Sequence, residues 1–307
     1  MKRSRQIIVG SRASQLALLQ ARLVISELKE VAPALEFTIE KISTTGDRDR
    51  NASLSQIGGQ GVFVKELEVA MLAGKIDIAV HSLKDVPTEL SSGLKLAAVT
   101  TRQDARDIII SKSGKKLNDL PSGAVIGTGS QRRAVQLHQL RPDIKTSDLR
   151  GNIDTRIRKA HSKELDGVLL AAAALIRLEL QDKITEYLPM QDFIPAVGQG
   201  AIGIEIRQED NQLSDLVTLI NHTSTWERVI AERSFLRHLG GGCQAPIAAH
   251  ATINNSIMQM FGLVASTDGT KVLRSFMEGP SDYPEKLGTL LAQEILDMGA
   301  HDFIDKV

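Results

Sequence analysis

The chain has 307 residues, 42% hydrophobic and 24% charged, with 37 basic and 37 acidic side chains that cancel. A zero balance argues against a duplex nucleic-acid binder, which is usually basic overall, and the longest apolar run, 168–176, is too short to span a bilayer. One cysteine excludes an internal disulfide and weakens a structural zinc site, and the start Met1–Arg5 with Ile7-Ile8-Val9 lacks a signal-peptide core. A cytoplasmic protein of two or three domains with mostly aliphatic cores is therefore expected.

Ile7-Ile8-Val9 reads as a buried strand, and Ala17, Ala21, Val24, Leu28 and Val31 recur at helical spacing behind Ser14 as N-cap. Leu35, Phe37 and Ile39 alternate with polar residues, the pattern of a half-exposed strand. Residues 43–61 form a long polar, Gly-rich loop whose length suits a lid. Phe63, Leu67, Ala70 and Met71 mark a helix ending at Gly74, and the strand 76–80 runs into His81-Ser82-Leu83-Lys84-Asp85-Val86-Pro87. The pattern restarts near 105, with strands expected at 108–110, 124–126, 144–147 and 168–170 and helices between and after them. Residues 193–203 are a Gly/Pro-punctuated crossing that leads into a strand at 201–206. Beyond about 222 the texture changes. A capping box, Ser224-x-x-Glu227, opens a helix, three strands follow at 247–253, 257–264 and 272–276, and a last helix covers 284–298. The fold class is α/β: two alternating units, then a smaller α+β unit.

Three constellations carry chemistry. Gly240-Gly241-Gly242-Cys243-Gln244 places the only cysteine in an uncrowded glycine loop, which suits a nucleophile or attachment point as well as it suits an inert thiol. Lys84 and Asp85 follow a strand end, where ligands of open α/β sheets bind. A carboxylate beside a cation there can stabilise positive charge or pass a proton, whereas the plainer reading is a solvated charge pair. Arg12, Arg132, Arg133, Arg150, Arg156 and Arg177 sit mostly just past strands and near helix starts. One such arginine is ordinarily a surface residue, but several at equivalent positions imply a ligand with several anionic groups. Gly127-x-Gly129 lacks the spacing of a nucleotide loop.

Together these stretches resemble the hydroxymethylbilane synthase (porphobilinogen deaminase) family. The matching segments are Gly10-Ser11-Arg12-Ala13-Ser14-Gln15-Leu16-Ala17, residues 58–66, 81–87, Gly127-Thr128-Gly129-Ser130-Gln131-Arg132-Arg133, Leu149-Arg150-Gly151-Asn152, Val197-Gly198-Gln199-Gly200 and 232–246. Their order and spacing jointly are specific from residue 10 to about 246. The resemblance implies two periplasmic-binding-protein-like lobes with the active cleft between them, plus a C-terminal domain. The expected divisions are 1–99 with a returning segment 200–217, then 100–199, then 218–307.

It further implies a transferase that joins four porphobilinogen molecules, with loss of ammonia, onto a dipyrromethane cofactor, then releases a linear tetrapyrrole by hydrolysis. The cofactor would be held by a thioether to Cys243, with Asp85 catalytic. Ser82, Lys84, Thr128, Ser130, Arg132, Arg133 and Arg150 would bind the cofactor; Arg12, Ser14, Arg150, Arg156 and Arg177 would bind substrate. A monomer without metal, nucleic acid or membrane is the family expectation. Gln56 and Gln60 stand where many members carry lysines, so Gln60 is expected to contribute hydrogen bonds at most. The competing readings are a non-enzymatic sensor of an anionic small molecule, which leaves the cysteine loop unexplained, and a nucleotide-dependent transferase.

Overall fold

The computed structural model describes residues 6–44, 63–240 and 246–304. The chain divides into two compact units, Met1–Gln103 with Ala201–Trp226, and Asp104–Gly200 with Glu227–Val307. The polar loop expected as a lid, with Gln56 and Gln60, lies largely outside the described residues.

In the first unit β1 (Gln6–Arg12), β2 (Glu36–Ile42), β3 (Ile78–Ser82) and β4 (Leu94–Val99) are joined by β10 (Ile202–Arg207) in one sheet ordered β2-β1-β3-β10-β4. β1 pairs parallel with β2 and β3, whereas β10 runs antiparallel to both β3 and β4. The returning strand thus occupies the sheet interior, as its unbroken burial from Ile202 to Ile206 requires. Helix α1 (Gln15–Val31) lays Ala21, Val24 and Leu28 against Val9, Val80 and Ile204, and its first turn is capped by Ser14, whose Oγ accepts the Ala17 N–H at 3.3 Å. Helix α2 (Lys65–Leu72) packs Leu67, Ala70 and Met71 on Ile76 and Ala79 of the opposite face. β4 was not anticipated.

The second unit holds two sheets. β5 (Asp107–Ser111), β6 (Val125–Gly127), β7 (Lys145–Ser147), β8 (Gly167–Ala171) and the two-residue β9 (Glu186–Tyr187) are ordered β7-β6-β8-β5-β9. They are crossed by α3 (Gln131–Leu140), α4 (Ile153–Ala160) and α5 (Ala172–Arg177). The continuous burial of β5 and β8 reflects sheet interiors covered on both faces. The three-stranded antiparallel meander β11 (Ile247–Asn254), β12 (Ile257–Ala265), β13 (Val272–Pro280) forms the second sheet. Val135 and Ile194 join Ala248, Leu263 and Ala265 in one apolar cluster, so residues expected to form separate second and third domains lie together in this unit.

Helix α6 (Asn211–Thr218) returns against the first sheet and is followed by α7 (Thr223–His238) and α8 (Pro284–Asp297). Ser224 lies inside α7 and does not open it. The cap is His222, whose Nδ1 accepts the Thr225 N–H at 3.2 Å; imidazole is an uncommon capping group, so the sequence pointed to the serine instead. α7 and α8 approach so closely that a methyl on Gly288 would strike the Ala231 carbonyl, which explains a glycine inside a helix. No helix among the described residues is long and apolar enough to cross a membrane.

Candidate active site

In the first unit the strand ends of β1 and β3 bring five expected residues near one another: Arg12, Ser14, Ser82, Lys84 and Asp85. Arg12 closes β1, Ser14 caps α1, Ser82 closes β3, and a single 3-10 turn, Leu83–Asp85, follows. Arg12 Nη1 lies 4.0 Å from Asp85 Oδ2, and its guanidinium sits over the Phe63 ring, 4.0 Å from the centroid. The Ser82 hydroxyl meets the carboxamide of the buried Gln20, 2.9 Å from Nε2. Leu83 is buried while Lys84 is exposed, so the turn anchors by its leucine and presents its charges outward. With Asp85 partly exposed beside a cation, it can bind or discharge a positively charged group.

In the second unit the loop between β6 and α3 carries Thr128 and Ser130. The Ser130 N–H donates to Thr128 Oγ1 at 3.2 Å, and Ser130 Oγ caps α3 by accepting the Arg133 N–H at 3.4 Å. Arg132 and Arg133, expected as cofactor ligands, follow in the first turn of α3. Both are buried and grip Asp107 at the start of β5, with Arg132 Nη1 at 2.7 Å from Oδ2 and Arg133 Nε at 2.8 Å from Oδ1. Arg132 also donates to the Ile194 carbonyl, Arg133 to that of Leu169, and the Gln199 amide to Asp107 Oδ1 at 3.0 Å. Burial alone would raise the Asp107 carboxyl, but the two guanidiniums outweigh it and hold the group far below the usual carboxylate range. Side chains in the first turn of α3 can point back beneath the helix, a direction that spacing alone does not reveal.

The other arginines differ. Arg150 touches the exposed Asp148 at 3.3 Å, and Arg156 Nε donates to the Gly151 carbonyl at 2.7 Å. Arg177, at the end of α5, donates to the Gly200 carbonyl at 2.7 Å, and among the described residues no carboxylate pairs with it. Burial lowers its guanidinium to about 10. A poorly solvated cation that pairs with no protein carboxylate has capacity left for an anion. Arg177→Met is expected to leave the melting temperature unchanged or higher, while raising the KM for an anionic substrate at least about tenfold, the loss of one charge-assisted contact. Thermal melts beside steady-state kinetics check both halves.

Cys243 lies outside the described residues. Asp107, Gln20 and Glu205 escaped the sequence reading, and His81 and Gln199 entered it only within matching stretches, because no local spacing links residues so far apart. No group of three or more potential metal ligands occurs among the described residues.

Comparison with known proteins places this arrangement. The family model "Porphobilinogen deaminase, dipyromethane cofactor binding domain" matches residues 7–215, and "Porphobilinogen deaminase, C-terminal domain" matches 226–297. The chain is 47% identical to a porphobilinogen deaminase of Pelotomaculum thermopropionicum over 98% of this chain and 97% of that protein. It is 48% identical to those of Pelobacter propionicus and Geobacter metallireducens, over 99% of this chain and 97% and 95% of theirs. Among solved structures, a YaeC-family lipoprotein of Enterococcus faecalis is similar at a TM-score of 0.43 and 12% identity, covering 71% of this chain and 91% of that one. With family models spanning two consecutive regions and relatives matching almost end to end, the chain belongs to the porphobilinogen deaminase family.

Proposed function

We propose that this chain carries out its family's reaction, hydroxymethylbilane synthesis, with Asp85 as the catalytic carboxylate and Cys243 as the attachment point of the cofactor. The enzyme is a transferase of tetrapyrrole synthesis and its cofactor is dipyrromethane. The donor set fits that group. Each of its pyrroles carries carboxylates, and the residues offer the Arg150 guanidinium together with the Thr128 and Ser130 hydroxyls at the α3 N-terminus. When bound, the cofactor supplies the nucleophilic pyrrole carbon onto which substrate units are joined.

The observation that carries the reading is Asp85 at the end of β3 facing Arg12 at the end of β1. Asp85 holds the aminomethyl group of porphobilinogen as its C–N bond breaks and stabilises the cationic pyrrole left when ammonia departs. Arg12 orients Asp85, and the substrate acetate and propionate are taken by Arg12, Arg150, Arg156 and Arg177. Ser14, Ser82, Lys84, Thr128 and Ser130 supply hydrogen bonds or charge to substrate or cofactor. Arg132, Arg133 and Arg150 bind the cofactor, and the hold of Arg132 and Arg133 on Asp107 also fixes the β6–α3 loop that bears Thr128 and Ser130. The division at 1–99 with 200–217, 100–199 and 218–307 belongs to this reading, supported by three separate sheets. So do a monomer and a cytoplasmic location.

The intact mass of the denatured protein from a haem-making host tests it. An excess equal to two deaminated pyrrole units is expected, and Cys243→Ser is expected to abolish it. A bare mass persisting after incubation with porphobilinogen and with preformed hydroxymethylbilane would give the sensor reading first place.

A further inference from the structure

Behind the turn that carries Asp85, two titratable side chains are buried that the reaction does not use. His81 Nε2, on β3, lies 2.9 Å from Glu205 Oε2, on β10, with side chains only 3% and 0% exposed. A buried charge pair of this kind rarely adds stability over apolar residues, because desolvation offsets the attraction. The second carboxylate oxygen, Glu205 Oε1, has no hydrogen-bond partner among the described residues, which makes the pair costlier still. Strand pairing does not need it either: β3 and β10 are held by their own ladder from Ile78 to Ser82.

The pair belongs to a set of anchors. The Leu83 N–H donates to the Ala201 carbonyl at 3.0 Å, fastening the first residue of the turn. Leu83 packs over Gly203, where an added methyl would sit 2.8 Å from Leu83 Cδ1 and 3.0 Å from Leu96 Cδ1. Glu205 holds His81. Alternate positions of the returning segment, 201, 203 and 205, thus grip alternate positions of the β3 end, 81 and 83, immediately before Lys84 and Asp85. Asp85 itself makes no side-chain hydrogen bond among the described residues, and Arg12 stands 4.0 Å away. Its place is therefore dictated by the main chain of the turn, and the turn by β10.

We infer that Glu205, acting through His81, is a positioning residue for the reaction, fixing the strand end from which Asp85 projects. The 2.9 Å contact between His81 Nε2 and Glu205 Oε2 keeps the imidazole from swinging. Loss of that contact removes one of the three anchors at the strand end and loosens His81 against β10. A carboxylate displaced by about 1 Å loses rate in the chemical step, on the order of tenfold to a hundredfold, with little change in substrate affinity.

This inference rests on Asp85 being the catalytic carboxylate, and the experiment separates the two. Steady-state kinetics on holoenzymes of verified cofactor mass would compare Glu205→Ala, Glu205→Gln and Asp85→Ala with the parent. Glu205→Ala is expected to lower kcat about tenfold or more at a KM near the parental one. Glu205→Gln keeps an oxygen for the His81 N–H and should restore kcat to within about threefold of the parent. A merely structural role predicts instead a lowered melting temperature with parental kcat per folded molecule, and that result overturns the inference. So does Gln failing to rescue. If Glu205→Ala does not fold, the double variant His81→Leu, Glu205→Leu leaves no lone buried charge and reads the same quantity; parental kcat there also overturns it. Parental kcat in Asp85→Ala removes the catalytic reading and this inference with it, whereas loss there beside parental kcat in Glu205→Ala removes only the inference.

Discussion

Asp85→Ala, isolated with its cofactor attached, is expected to lose turnover by roughly 10²–10⁴-fold, the range for removing a general acid–base group, while keeping its melting temperature. The reason is where the carboxylate sits. It is about a third exposed, on a turn anchored by the buried Leu83, with Arg12 at 4.0 Å and no hydrogen bond into the core. Truncation leaves no buried partner unsatisfied, so folding is indifferent to it. The reaction is not, because the breaking C–N bond puts positive charge on the pyrrole next to this group. Single-turnover measurements with porphobilinogen isolate that step, and an unchanged rate there would remove Asp85 from the mechanism. Arg12→Met should fall between the parent and Asp85→Ala, since it releases the carboxylate without deleting it.

Asp107→Asn is expected to be the most damaging single change in the second unit, by about 3–5 kcal/mol, the usual cost of breaking a buried ion pair by removing one partner. Asparagine cannot neutralise Arg132 and Arg133, both nearly inaccessible to solvent, and two buried cations would then face each other. The pH dependence has a definite sign. The folded Asp107 carboxyl is held far below its unfolded value, so its contribution is fully present above the unfolded pKa near 3.9 and is lost as pH falls below it. Denaturant melts of parent and variant at neutral pH should therefore differ widely, and converge as the solution is acidified. A constant gap down to strongly acid pH would show that Asp107 is not ionised in the fold. The same variant should take up less cofactor, because the β6–α3 loop loses its footing.

Periodicity made much of the local structure legible. The α1 stripe from Ala17 to Leu28 and its Ser14 cap, the buried runs of β5 and β8, and the C-terminal meander all follow from residue order. What failed was non-local or atypical. β4 alternates poorly, with Lys95, Leu96 and Ala97 all half-buried. The two residues of β9 are too few to show a period. The position of β10 between β3 and β4 depends on pairings across more than a hundred residues. Within the site, residue order shows where the arginines fall along the chain but not which protein groups they meet. Arg132 and Arg177 look alike in sequence, yet among the described residues one is locked on Asp107 and the other donates to a carbonyl. The partner that separates them, Asp107, sits at the head of an isoleucine run that advertises nothing but a strand.

The interior place of β10 has a consequence for how the chain is made. When a ribosome has released β1 to β4, the first sheet still lacks the strand that separates β3 from β4. Those two strands then present open edges while the roughly one hundred residues up to β10 are synthesised, about 5–20 s at ordinary elongation rates. Open edges invite pairing with the wrong neighbour, including with each other. A nascent chain stalled before Ile202 should thus be protease-sensitive in its first hundred residues, although they contain Asp85 and most of the first sheet. Release of a further short stretch through Arg207 should protect them abruptly.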